Sequence, residues 1–239
     1  YVPKRTTPPG LNFFGTPTPE KTEYPVNLDL IKKYYNVTDD PTKADFAMVF
    51  IKSPVSNGYS RADREAGGNG YVPISLQLKD YTATEARAQS IAAGDPVIDP
   101  TITNRSYLNK TSKSNSYPDL NTILDTKKAM NGKPVVVAIT VSNPMVFGEF
   151  EKDVDAIVGE FGVQMEALLD IVSGKTEPSG LLPLQMPMDM TTVEKQLEDV
   201  PHDMIPYRDS NGNVYDFGFG LNWKGVIKDA RTEKYSVKK

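Results

Sequence analysis

The sequence predicts an α/β fold: a doubly wound, mostly parallel sheet sandwiched by helices, with a long inserted loop after an early strand. Three observations carry this. ADFAMVFI (44–51) and PVVVAIT (134–140) are almost uniformly apolar, as expected of strands covered on both faces of a parallel sheet. Segments with helical spacing alternate with these runs. About 65 residues then separate the strand 44–51 from the next strong helix, where two to six are usual.

Taken in order, Tyr1–Val2 reads as the end of a strand whose beginning lies upstream, followed by a Pro-rich connector. In NLDLIKKYYNV (27–37), Leu28, Ile31 and Tyr35 recur at helical spacing. Within the insertion 52–117, a capping box from Thr82 to Glu85 followed by ARAQSIAAG predicts one short helix, and the rest is rich in Gly, Asn and Ser. SYPDLNTILDTKKAMNGK (116–133) gives a helix with Ser116 as cap, Leu120, Ile123 and Leu124 on its apolar face, and Gly132 as stop. PVVVAIT and DAIVGEF (155–161) read as further fully buried strands, and QMEALLDIVSGK (164–175) as a helix ending at Gly174. Residues 181–239 read as extended segments and turns that wrap the sheet. Ligands of open α/β sheets bind beyond the carboxyl ends of the strands, the end from which the insertion departs. The insertion is therefore the expected functional region.

Composition narrows the chemistry. A net charge of -4 provides no basic surface for nucleic acid. No window approaches 18 apolar residues, so no membrane span is expected. Zero cysteines exclude disulfides, thiolate metal sites and a cysteine nucleophile. His202 is the single histidine, in a polar loop that marks it as a surface residue, so a polyhistidine metal site is excluded within this chain. There is no G-x-S-x-G elbow, no P-loop and no G-x-G-x-x-G after a strand. DSNGNVYD (209–216) alternates Asp209, Asn211 and Asn213 like a calcium loop, but Val214 stands where the EF-hand needs glycine, and a hairpin turn at Asn211-Gly212 accounts for it. Sequons at Asn36, Asn104 and Asn109 carry meaning only in a secreted eukaryotic chain. No metal and no cofactor is called for.

Carboxylates remain. Glycosidic cleavage needs one carboxylic acid and a second carboxylate, and neither cysteine, histidine nor metal. In SNGYSRADREAGGNGY (56–71), Asp63 and Glu65 lie beside Arg61 and Arg64 among four glycines. Taken alone, this cluster is read either as a solvated ion-pair patch or as a site.

The C-terminal half adds a specific signal. NGKPVVVAITVSNPMVFGEFEKDVDAIVGEFGVQMEALLDIVSGKTEPSGLLPLQMP (131–187), followed by VYDFGFGLNW (214–223), resembles the C-terminal α/β-sandwich domain of glycoside hydrolase family 3. Five motifs appear in order: G-K-P-V-V, V-D-A-I, A-L-x-D-I-x-x-G, P-S-G-x-L-P and Y-x-F-G-F-G-L-x-W. The resemblance covers residues 118–223 well and 1–117 loosely. It implies a flavodoxin-like α/β sandwich in which Gly180, Pro183, Gly218 and Gly220 set turns and close packing beside Phe217, Phe219 and Trp223.

The resemblance further implies a retaining, exo-acting, β-glucosidase-like hydrolase acting on a β-linked oligosaccharide or glucoside. A (β/α)8 barrel, N-terminal in the same polypeptide, would supply the aspartate nucleophile, and residues 1–239 would be a fragment without it, inactive alone. The sandwich would contribute the acid/base from a loop with an E-G-x-D-R pattern. Asp63-Arg64 matches the D-R pair, Asn57 stands before Gly58 where that pattern has glutamate, and Glu65 is the only glutamate of the loop. Glu65 is therefore the expected acid/base, with Asp63, Arg61 and Arg64 orienting it or binding sugar hydroxyls. Two other readings stay open: a sandwich module that has lost its acid/base and only shapes a sugar pocket, and a flavodoxin-like binding protein. The expected location is the bacterial periplasm or the cell exterior, with the cytoplasm left open.

Overall fold

The computed structural model describes residues 1–11, 16–56, 58–85, 107–197, 200 and 202–235. Tyr1 lies alongside the first long strand: its N-terminal nitrogen donates to the Phe46 carbonyl at 2.9 Å and its own carbonyl accepts from Met48 N–H at 2.9 Å. These two bonds are the pattern of a parallel pair, and they bury Val2. Four short strands follow, β1 (Arg5–Thr7), β2 (Gly10–Leu11), β3 (Pro17–Thr18) and β4 (Lys21–Glu23), with β1 antiparallel to β4 and β2 to β3. Helix α1 (Leu28–Ile31) is capped by Asn27, whose side chain accepts from Asp29 N–H. It is much shorter than the expected 27–37 segment. Ile31 is buried, whereas Tyr34 and Tyr35 leave the helix in a turn and are only half-buried.

The sheet core is three parallel strands. β5 (Ala47–Lys52) opens it and leads into the insertion, which contains α2 (Arg61–Glu65), β6 (Tyr81–Thr82) and β7 (Thr111–Ser112). Helix α3 (Tyr117–Met130) returns the chain to β8 (Val135–Thr140), the centre of the sheet, and β9 (Ala156–Glu160) pairs on its far side. Pleating sends alternate residues to opposite faces. Val49, Ile51, Val137 and Ile139 pack against Leu120 and Ile123 of α3. Met48, Phe50 and Ala138 pack against Ile31 of α1 and, from α4 (Met165–Val172), Leu168 and Leu169. Helices therefore cover both faces, and the fold is the α/β sandwich that the sequence predicts. Each fully buried Val or Ile contributes about 1.5–3 kcal/mol, so this double-faced packing is the main source of stability.

Several expectations need correction. β9 is not fully buried: Ala156 and Gly159 are exposed and the other three residues half-buried. It has one sheet neighbour among the described residues, and the sheet thins there. Thr82 is not a helix cap. It pairs with Thr111 in the β6–β7 ladder, their hydroxyls 2.7 Å apart; ARAQSIAAG and Asn104 lie outside the described residues. Ser116 occupies the cap of α3 without a side-chain bond, and the helix ends at Asn131 in the left-handed conformation, with Gly132 following at φ 87°.

The wrapping segment after residue 181 is extended as predicted, with Leu182, Met186 and Tyr207 bonded through their backbones to Phe219, Tyr215 and Met186. It also holds two helices not foreseen, α5 (Met190–Lys195) and α6 (Ala230–Tyr235), on either side of β10 (Leu221–Asn222) and β11 (Gly225–Val226). Asp189 caps α5 by accepting from Thr192 N–H, a signal readable as Asp before a helix-compatible run. The Asn211-Gly212 turn is observed: Gly212 sits at φ 84°, and the Asp209 carboxylate accepts from the amides of Asn211 and Asn213. Gly220 is required by packing, since a Cβ there meets the Gly180 carbonyl oxygen at 2.1 Å. Phe217 and Trp223 stay exposed rather than packing beside it. Among the described residues no helix is long and apolar enough to cross a membrane.

Candidate active site

The insertion is docked on the loop that leaves the carboxyl end of β8. Ser53 Oγ accepts from Ser142 N–H at 2.9 Å, Asn143 Nδ2 donates to the Pro54 carbonyl at 2.8 Å, and Val146 N–H donates to the Leu76 carbonyl at 2.8 Å. The Glu149 carboxylate accepts from the amides of Leu78 and Lys79, and burial pushes its pKa up against those two bonds. Leu78 is fully buried and joins the core on the α3 face.

On this base stands a small hairpin. Its arms are tied by Ser60 N–H to the Gly70 carbonyl at 2.8 Å and Val72 N–H to the Gly58 carbonyl at 3.1 Å. Helix α2 is its tip. Ser60 caps α2 by accepting from Asp63 N–H at 3.2 Å. The helix closes with Gly67 N–H donating to Arg64 and Gly68 N–H to Asp63, the paired bonds of a Schellman motif, with Gly67 at φ 89° as that motif requires. Gly68 and Gly70 have steric reasons. A Cβ on Gly68 meets the Asp63 carboxylate at 2.2 Å, and one on Gly70 meets the Tyr59 ring at 2.5 Å. The glycine richness of this stretch is thus a requirement of a tightly folded helix end.

The predicted site residues divide between two faces. Asp63 points inward: its carboxylate accepts from Gly70 N–H at 2.8 Å and from Lys110 Nζ at 2.7 Å. Those two bonds, the ammonium's first, hold its carboxyl below the usual range. Glu65 and Arg61 point to solvent, joined Oε1 to Nε at 2.7 Å across one helical turn, with 63% and 87% of their side chains exposed. Arg64 is exposed. The structure therefore brings Arg61 to Glu65 and directs Asp63 away from it. Asn57 lies outside the described residues. His202 is exposed, as expected.

Sequence reasoning missed Lys110 and Asn69. Lys110 Nζ also donates to Asn69 Oδ1 at 2.5 Å, and it lies 47 positions from Asp63, beyond any periodic signal. It missed Glu194 as well, a nearly buried carboxylate on α5 that accepts from Tyr107 Oη at 2.5 Å and from Tyr81 Oη at 3.5 Å. Burial, then the Glu194 charge, raise the Tyr81 pKa.

A separate cavity of about 470 Å³ opens at the carboxyl ends of the strands, between the β1–β4 ladder and the sheet. Arg5, Lys52, Thr140 and Glu160 line it, and α2 does not. Arg5 there forks onto Asp119, at 2.5 and 3.2 Å. Burial lifts the Asp119 carboxyl above its ordinary range, while the guanidinium pulls the other way. No group of three acidic or histidine side chains is arranged to hold a metal among the described residues.

Comparison with known proteins identifies the family. The Glycosyl hydrolase family 3 C-terminal domain matches residues 15–223. A stretch of 104 residues, 41% of this chain, is 36% identical to "Probable beta-glucosidase C" of Aspergillus flavus and 34% identical to "Beta-glucosidase C" of Emericella nidulans. A stretch of 107 residues is 27% identical to "Periplasmic beta-glucosidase/beta-xylosidase" of Dickeya chrysanthemi, covering 45% of this chain. The matched stretches span 16% of each fungal relative's length and 15% of the Dickeya protein. With most of its length matched, the chain belongs to glycoside hydrolase family 3, as a C-terminal domain of that family.

Proposed function

We propose that this domain supplies the acid/base half of a retaining, exo-acting β-glycosidase of β-glucosidase type. Its substrate is a β-linked oligosaccharide or glucoside, and an N-terminal (β/α)8 barrel of the same polypeptide holds the aspartate nucleophile. The observation that carries this reading is a glutamate on a sterically locked helix, at the carboxyl end of β5, in a domain of this family. In the first step Glu65 gives its proton to the glycosidic oxygen as the barrel carboxylate attacks the anomeric carbon. In the second, the Glu65 carboxylate takes a proton from the attacking water. Arg61 and Arg64 face outward with Glu65, within reach of sugar hydroxyls, and Asp63 anchors the helix. The periplasmic name of the Dickeya relative supports a periplasmic or secreted bacterial location.

Residues 1–239 alone hold one of the two carboxylates, so the purified fragment is expected to hydrolyse no aryl β-glucoside. The decisive test uses full-length Glu65→Ala on a dinitrophenyl β-glucoside with azide. The reading predicts slow turnover that azide restores, with a β-glucosyl azide as product. Unchanged turnover without azide supports a second reading, a module that shapes the sugar pocket without acid/base chemistry. The exposed Glu65–Arg61 pair and Asn57 at the expected glutamate position favour that alternative.

A further inference from the structure

A five-residue helix has no stability of its own, so the direction of Glu65 is set from outside α2. Asp63 and Glu65 are two residues apart, about 200° around a helix. Whatever fixes Asp63 inward therefore fixes Glu65 outward. From outside the hairpin, the charged group that holds Asp63 is Lys110, which grips Asp63 at 2.7 Å and Asn69 at 2.5 Å. Asn69 Oδ1 also accepts from Tyr71 N–H, so one ammonium ties α2 to the returning arm of its hairpin. Lys110 is itself held: its carbonyl accepts from Ala83 N–H at 3.1 Å, and its amide donates to the Tyr107 carbonyl at 2.9 Å. Tyr107 in turn is bonded to Glu194 on α5. A continuous polar path thus runs from α5 through Tyr107 and Lys110 to the helix that carries Glu65.

We infer that Lys110 is a positioning residue for the acid/base: by clamping Asp63 and Asn69 it fixes the direction in which α2 presents Glu65. This rests on the reading of Glu65 as proton donor. Lys110 touches no reacting atom. Its removal lets α2 rotate and misplaces the proton, a defect felt where the leaving group needs protonation.

The test measures full-length Lys110→Met, Lys110→Arg, Asp63→Asn and Glu65→Gln on an alkyl β-glucoside and on a dinitrophenyl β-glucoside, whose leaving group departs unprotonated. Lys110→Met is expected to lower kcat/KM on the alkyl glucoside by about 10- to 100-fold. The loss on the dinitrophenyl substrate should stay within about threefold, and Lys110→Arg should recover most of the activity. Asp63→Asn loosens the same tie from the other side and should show the same selectivity, which keeps the question answerable if Lys110→Met does not fold. Equal losses on both substrates, or no loss, overturn the proposal while Glu65→Gln still discriminates between the leaving groups. If Glu65→Gln does not discriminate, the acid/base reading falls and this inference falls with it.

Discussion

The sheet core and the insertion are built on different principles. In the core, β5 and β8 send alternate apolar side chains to two helical layers, and many equivalent contacts share the load. In the insertion, the ladders are two residues long and order comes from single placed groups: Lys110 on Asp63, Glu149 on the Leu78 and Lys79 amides, Gly68 and Gly70 where a Cβ would press on the Asp63 carboxylate and the Tyr59 ring. Hydrophobic burial is nondirectional and shared among many side chains, whereas each placed ammonium or glycine holds its own contact alone. The lesson is that the many-contact part of this domain sets the fold, while the singly tied part sets the shape of the candidate site.

Native-state hydrogen exchange, which resolves stability region by region, can break or sharpen that contrast. The largest effect is expected in the core. Leu169→Ala removes a fully buried side chain beneath the sheet and should cost about 3 kcal/mol, read as faster exchange of the β5 and β8 amides together. Exchange confined to α4 would show that the sheet does not depend on that layer. Gly70→Ala comes next, about 2 kcal/mol, because φ is 84° and the Tyr59 ring must move. That loss should appear only in the hairpin arms, and its spread into β5 would contradict the separation of the two regions.

The smallest effect is pH-dependent. The folded Asp63 carboxyl lies below its ordinary value, so its contribution is full above about pH 4 and is lost as pH falls through the folded pKa. Proteolysis at residues 60–72 should therefore accelerate in acid before the sheet opens. Asp63→Asn should flatten that dependence, and an unchanged pH response in this variant would show that Asp63 is not the group responsible.

Much of the fold was legible because its signal is periodic. The apolar runs at 44–51 and 134–140 needed no partner to be recognised, and the hydrophobic pattern also set their faces. β9 reads as buried because Ile157 and Val158 look like core residues, while its place at the edge of the sheet among the described residues is a fact of strand order that the run does not encode. α5 and α6 are six residues each, too short for periodicity, and only Asp189 announced the first. In the loop, Arg61, Asp63, Arg64 and Glu65 were visible as a charged cluster among glycines. Which of them faces inward was not, because Lys110 and Asn69 decide it through contacts distant in sequence or specific to one side chain.

The central claim is that Glu65 is the proton donor of a two-domain site. The most direct measurement is the pH dependence of kcat/KM for an alkyl β-glucoside in the full-length protein, wild type against Glu65→Gln. The account predicts a bell for the wild type and, for Glu65→Gln, a rate lower by about 10²- to 10⁴-fold that no longer declines on the basic side. A Glu65→Gln variant that keeps the basic limb and a near wild-type rate would contradict it.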